Sequence, residues 1–311
     1  MRIRYRWLTL GAVALALAAG VQTRAAQGQA NQPFDYYTFD VPGATATNPQ
    51  GINARGDIVG NYTKGGVTHG FLWSGITLTT IDYPGAAFTD ARGINAQGDI
   101  VGSYRMPGEP PVNFHGYLLN RHGEMSPVDF PYHTNTIPQR ITATGLILGC
   151  RHDTDLMETM RGVTIDPKDW SQNSEVEAFA SMHNGATPDG RLIVGLYTDM
   201  DTNRGHGYLL YGGTFIPFDV PGSTSTAAWD VNASGAVVGV YRDARNAIHG
   251  FLWSGLQFES IDVPGAVTTR AFGINSSSTL VGNYVDGNNR THGFVAMKRP
   301  FPPSPHAEIE P

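Results

Sequence analysis

The sequence predicts an all-β chain folded as a six-bladed β-propeller, and three observations carry that prediction. The first is composition: 311 residues with 38 Gly, 20 Pro, 13 Tyr, 14 Phe and 5 Trp, 41 % hydrophobic and only 15 % charged. Such a chain is too apolar to stay disordered and suits short strands joined by tight turns. The second is a repeat. Gly51-Ile52-Asn53-Ala54-Arg55-Gly56-Asp57-Ile58-Val59-Gly60 is the clearest of six copies, whose closing glycines are Gly60, Gly102, Gly149, Gly195, Gly239 and Gly282. Copies roughly 44 residues apart match one four-stranded propeller blade each. The third is the phase of the two ends. The repeat region opens on a strand from Phe34 to Asp40 and finishes on one from His292 to Met297. The opening strand is therefore expected to complete the last blade and close the ring, leaving no free sheet edge.

Taken from the start, Met1 to Arg6 is basic, Trp7 to Val21 is apolar, and small residues follow at Thr23/Ala25 and Gly28/Ala30. That reads as a signal peptide over residues 1–30, which implies a secreted or periplasmic protein without a membrane anchor. Its removal takes away Arg2, Arg4, Arg6 and Arg24 and no acid, so the mature chain is more acidic than the net −6 of the whole. Nucleic acid and anionic membranes are poor partners for such a surface. Residues 33–298 form the single propeller domain, and 299–311, rich in Pro, a disordered tail. Cys150 is the only cysteine, so no disulfide forms within the chain, and its apolar flank marks it as a buried small residue.

Inside a copy, the Asn opens an Asn-x-x-Gly turn: its side chain bonds the backbone ahead and the Gly takes a positive φ. After a variable loop comes His-Gly-aromatic: His69-Gly70-Phe71, His115-Gly116-Tyr117, His206-Gly207-Tyr208, His249-Gly250-Phe251 and His292-Gly293-Phe294. A further strand ends at Asp40-Val41-Pro42, Asp82-Tyr83-Pro84, Asp129-Phe130-Pro131, Asp219-Val220-Pro221 or Asp262-Val263-Pro264. The Pro ends pairing by removing a donor. With Gly-Ile-Asn innermost, the histidines stand about two strand spacings, ~10 Å, further out. They are too far apart to share a metal at bonds of about 2 Å. They are expected to bond within their own blades, and the Asp residues to cap turns.

The combination Gly-Ile-Asn…Val-Gly…His-x-Phe resembles the HAF-type extracellular repeat family over roughly residues 34–298. The chain departs from it in carrying His-Gly in place of His-Ala, and Arg161-Gly162-Val163 in the third copy. The resemblance implies an exported bacterial repeat protein with no settled biochemical activity, and it carries over no catalytic residue.

Candidate chemistry lies where the copies differ, since the shared residues specify the blade. Asp199, Asp201 and Asn203 resemble the start of a calcium loop. Arg204 and Leu210, however, stand where such a loop needs Gly and a bidentate Glu, so a solvated hairpin is the stronger reading. Seven acids between Asp153 and Glu177 could do glycosidic acid–base work, with drift at a blade edge as the simpler account. The chain contains no Gly-x-Ser-x-Gly, His-Glu-x-x-His, phosphate loop or dinucleotide fingerprint. Aligned on Asn53, Asn95, Thr142, Thr187, Asn232 and Asn275, the innermost strands share a Thr or Ser six residues earlier and diverge in between. Those divergent positions place a ligand against Asp90, Arg92, His183, Trp229, Asp230 and Arg270 at the channel mouth, with Arg for an anionic group and Trp for stacking. Arg140 is a further departure from an otherwise small column. The function expected is an exported, monomeric binding or scaffold module for carbohydrate or protein, without an obligate cofactor. The alternative is a hydrolase or lyase acting on polysaccharide or lactone from the same mouth.

Overall fold

Each copy folds into a four-stranded antiparallel sheet because its turns are built into the backbone. Asn53 Oδ1 accepts from the amides of Arg55 and Asp57, and Gly56 sits at φ 89°, so strand Ala46–Ile52 returns as Ile58–Lys64. Strands Val67–Ser74 and Thr77–Ile81 complete this first unit. The computed structural model describes residues 24–25, 33–169, 174–178, 180–255 and 257–299. The predicted leader, apart from Arg24–Ala25, and the predicted tail beyond residue 299 lie outside the described residues. No described helix is long and apolar enough to cross a membrane.

The same order recurs along the chain. Inner strands Phe88–Ile94, Asn135–Ile141, Met182–Ala186, Ser225–Val231 and Thr268–Ile274 each lead into a meander of antiparallel partners. The third unit is irregular. A short helix, Leu156–Thr159, stands in its loop, and its outer strand is only Ser174–Glu175, paired with Thr164 and Val163. In the last unit the fourth strand comes from the start of the chain: Phe34–Phe39 pairs antiparallel with Thr291–Lys298 over six residue pairs. Arg24–Ala25 adds two residues outside it, opposite Thr38 and Tyr37.

Apolar side chains fill the space between neighbouring sheets. One cluster joins Phe39, Ile52, Ile58, Phe71 and Val281; another joins Val59, Ile81, Ala91, Ile94 and Tyr117. The shared hydroxyl of the inner strand clips one unit to the next. Thr47, Thr89, Thr136, Thr226 and Thr269 each accept the amide that follows the Asp of the preceding Asp-x-Pro, at 2.7–3.1 Å. Ser181 accepts the Gly162 amide instead, because the third unit has no Asp-x-Pro. Cys150 is buried, and burial pushes its thiol up to about 12, too high for a reactive thiolate at neutral pH.

The five His-Gly-aromatic histidines bond inside their own sheets. Nδ1 of His69, His249, His292 and His206 lies 2.7–3.0 Å from Asp82, Asp262, Asp40 and Asp219, and that of His115 lies 3.5 Å from Asp129. Each imidazole also stacks on a tyrosine ring, Tyr62, Tyr104, Tyr197, Tyr241 or Tyr284, at 5.0–5.2 Å.

Candidate functional site

All six inner strands carry a bulge at the same place. Pairing with the second strand slips between Pro49 and Gly51, Ala91 and Gly93, Pro138 and Arg140, His183 and Gly185, Ala228 and Asp230, and Ala271 and Gly273. The residue skipped is Gln50, Arg92, Gln139, Asn184, Trp229 or Phe272, so one of the divergent columns of the repeat is the bulged one. A bulge frees its residue from the ladder and re-aims its side chain.

The next residue along is Gly51, Gly93, Gly185 or Gly273 in four copies, and Arg140 and Asp230 in the other two. A Cβ on Gly51 would lie 2.7 Å from the Arg92 carbonyl oxygen, and one on Gly185 would lie 2.5 Å from Asp230 Cα. Neighbouring strands are that close, and the space left by the glycines is taken by one ion pair. Arg140 Nη1 donates to the Arg92 and Gln139 carbonyls at 2.8 Å. Nη2 donates to the Gln50 carbonyl at 2.9 Å and to that of Phe272. Nε stands 3.3 Å from Asp230 Oδ1. The Asp230 carboxylate also accepts the amides of Val231 and Ile274. Burial raises its pKa, and the Arg140 charge and these amides oppose that rise. Both residues are buried, Arg140 at 7 % and Asp230 at 6 % exposed.

On the turn side lies a cavity of about 110 Å³ above Arg140 and Asp230, walled by Ile52, Asn95, Asn232 and Asn275 among others. Its polar groups already serve the fold. Asn53 Nδ2 donates to the Asn95 carbonyl, Asn95 to Thr142, Asn232 to Asn275 and Asn275 to Asn53.

The other side is the mouth expected from the sequence. Asp90 and Arg92 face each other at 2.7 Å. Asp90 further accepts the Ser103 amide and hydroxyl, and Arg92 donates to Gln139 Oε1. Trp229 stands edge-on to Phe272 with ring centroids 4.9 Å apart. Arg270 is half-buried and donates to Thr268 Oγ1. These four residues share one side of the inner strands, while the other two predicted residues lie elsewhere. Asp230 belongs to the buried ion pair with Arg140. His183 is 2 % exposed, packs over Gly162 of the preceding sheet, and meets Tyr208 Oη through Nδ1. Because that hydroxyl donates to the Met182 carbonyl, His183 Nδ1 carries the proton. Burial pushes the His183 pKa down to about 4.

The residue that sequence reasoning left outside its site is Arg140, at the centre of the inner strands. Its signal was present: one basic and one acidic residue in a column otherwise glycine. In the predicted calcium loop, Asp199 Oδ1 accepts the amides of Asp201 and Thr202, and Asn203 takes a left-handed φ of 52°. Asp243 and Asp286 cap the matching hairpins of the next two units in the same way. Among the described residues, no three His, Cys, Asp or Glu side chains are grouped to hold a metal ion.

No family pattern matches the chain, and no curated protein matches it. Solved structures do. A gluconolactonase from Xanthomonas campestris superposes with a TM-score of 0.53 at 15 % identity, covering 90 % of this chain and 96 % of that one. SapL1 lectin, solved with alpha methyl fucoside, gives 0.50 at 11 % identity, covering 84 % and 98 %. TolB from Acinetobacter baumannii gives 0.50 at 11 % identity over 90 % of this chain, which spans 63 % of that protein's length. At such identities the likeness speaks for architecture alone, and that architecture is the β-propeller.

Proposed function

We propose that the six repeat units close into a single six-bladed propeller, and that it is an exported binding module for a saccharide taken at the mouth beside Trp229. Closure is supported by the pairing of Phe34–Phe39 with Thr291–Lys298 and by the bond from Asn275 to the Asn53 carbonyl. Export follows from the basic and apolar leader and from the resemblance to HAF-type repeats.

The observation that carries the binding reading is the Arg140–Asp230 pair. On the side of it away from the turns, the partly exposed residues include Trp229, Arg92 and Arg270. An indole beside cationic donors suits a sugar ring, whose C–H face stacks while its hydroxyls bond at the edge. Acid–base catalysis needs two titratable groups meeting at one open point. Here the Asp90 carboxylate is held by Arg92 and Ser103, and the five motif histidines are held by carboxylates of their own sheets. The lectin likeness makes a saccharide the natural first probe.

A glycan array probed with the mature chain should yield a saccharide ligand whose affinity falls at least tenfold in a folded Trp229→Ala variant, as loss of a stacked ring predicts. Unchanged affinity would move the site away from the mouth. Turnover of a bound polysaccharide or lactone would favour the hydrolase or lyase reading, and capture of a protein ligand alone would sink the saccharide reading.

A further inference from the structure

Among the described residues, Arg270 and Arg242 have no acidic partner, and nor does Arg105, at the position in the second unit equivalent to Arg242, which bonds the Pro111 carbonyl and packs over Phe88 and Phe114. Arg92, Arg140, Arg151 and Arg204 each have a carboxylate within 3.3 Å. Arg270 has the Thr268 hydroxyl, and Arg242 has the carbonyl and side-chain oxygens of Asn246 at 3.1–3.3 Å. Among the described residues neither arginine meets an acid. The two belong to adjacent units: Arg242 ends strand Val237–Arg242, and Arg270 lies on the next inner strand, Thr268–Ile274. Burial lowers the Arg270 pKa and the charge of Arg242 lowers it further, so the two cations feel each other. Half-buried like charges without a counter-ion disfavour the fold. Here they stand in a chain whose net charge is −6.

A cleft of about 360 Å³ runs between the same two units, walled by Ile248, His249, Asp262, Val263, Thr268 and Thr269. Thr268 is the residue that Arg270 bonds, and Ile248 is the strand partner of Arg242. Arg92, by contrast, is neutralised by Asp90 and cannot draw an anion without giving up that partner. Arg92 is thus balanced by an acid, whereas two arginines without one belong to the adjoining fifth and sixth units.

We propose that Arg242 and Arg270 form an oxyanion site that takes the carboxylate or sulfate of an acidic saccharide whose ring lies by Trp229. This rests on the saccharide reading above and names its class. A guanidinium suits such a group because it offers two parallel N–H donors to two oxygens. On the cleft wall, Asp262 is bonded to His249.

The test titrates the mature protein with inorganic sulfate, with an oligogalacturonate and with its neutral, methyl-esterified counterpart, by calorimetry and melting temperature. The oligogalacturonate should bind, raise the melting temperature and weaken about 10- to 100-fold in Arg270→Gln and in Arg242→Gln, the range expected for losing a charge-assisted bond. Arg245→Gln, an exposed neighbour, should leave binding unchanged. Equal affinity for the neutral oligomer, or wild-type affinity in both glutamine variants, overturns the oxyanion site and leaves the saccharide reading standing. Sulfate binding that both variants abolish, with no saccharide bound, keeps the oxyanion site and removes the saccharide. An Arg270→Lys variant retaining intermediate affinity shows that a glutamine variant lost charge and not fold.

Discussion

His183 occupies a position that carries Pro49, Ala91, Pro138, Ala228 or Ala271 in the other copies. Those small or rigid residues pack against the Gly of the preceding His-Gly-aromatic motif; a Cβ on Gly293 would lie 2.9 Å from Pro49 Cγ, and one on Gly116 would lie 2.8 Å from Pro138 Cγ. An imidazole fits over Gly162 only as a neutral group, since burial holds its pKa at about 4. The folded pKa lies below that of a free histidine, so between the two values the unfolded chain binds more protons. The stability contributed by neutral His183 is then complete above about pH 6.5 and is lost as pH falls towards 4, by roughly 3 kcal/mol. Denaturant titrations of wild type and His183→Ala at pH 7 and pH 4.5 should show the variant losing less stability on acidification. Parallel losses would mean that the ring protonates in place. Nothing in the sequence separated this buried histidine from a ligand-facing one, because the alternation of the strand does not reveal which side chains cross to the neighbouring sheet.

At the scale of the strand, the repeat is legible as geometry. A Cβ on Gly60, Gly102, Gly149, Gly195, Gly239 or Gly282 would overlap the carbonyl oxygen of Asn48, Asp90, Ile137, Met182, Ala227 or Arg270 on the bulged strand. The bulge and the glycine are therefore one device. The aromatic of the third strand covers that glycine, as Phe71 covers Gly60 and Phe251 covers Gly239. Where the ring is Tyr117 or Tyr208, its hydroxyl donates to the carbonyl of Asp90 or Met182 beside the bulge. Gly102→Ala should cost about 1–3 kcal/mol, since the obstacle is backbone on an inner strand. Gly98→Ala is the comparison for turn strain alone, because its clash is with the movable Arg55 side chain and its φ is 98°. A Gly102→Ala variant as stable as wild type would show that the inner strand can shift outward. Turn, strand and glycine positions could be read from the repeat because each is a local rule. The bulge could not, because it shows only when two strands are paired.

Across the whole molecule, Arg140 links strands that are far apart in sequence. Its guanidinium reaches carbonyls at residues 50, 92, 139 and 272 and the carboxylate at 230. Removing one partner of such a buried pair leaves an uncompensated charge and typically costs about 3–5 kcal/mol, whereas removing both is much milder. Arg140→Gly and Asp230→Gly should each be strongly destabilising. The double variant, which gives the column the glycine found in the other four copies, should cost less than the sum. Additive losses in chemical denaturation would deny the coupling. The sequence offered both residues as departures from a small column, but their meeting depends on inner strands from separate copies converging.

The borrowed fourth strand of the last unit also has a kinetic meaning. Asp40 meets His292 across 252 residues, whereas Asp82 meets the equivalent His69 across 13. Closing the longer loop costs about 3 kcal/mol more in chain entropy before any contact offsets it. The first unit can assemble from consecutive residues as the chain emerges, but the last must wait for its beginning and its end to find each other. Until then the row of amides and carbonyls along Thr291–Lys298 has no neighbour on that side, and Phe34, Tyr36 and Phe39, all buried once paired, face water. The step that joins the two ends is thus the slow one, and it is where two copies folding side by side can exchange opening strands.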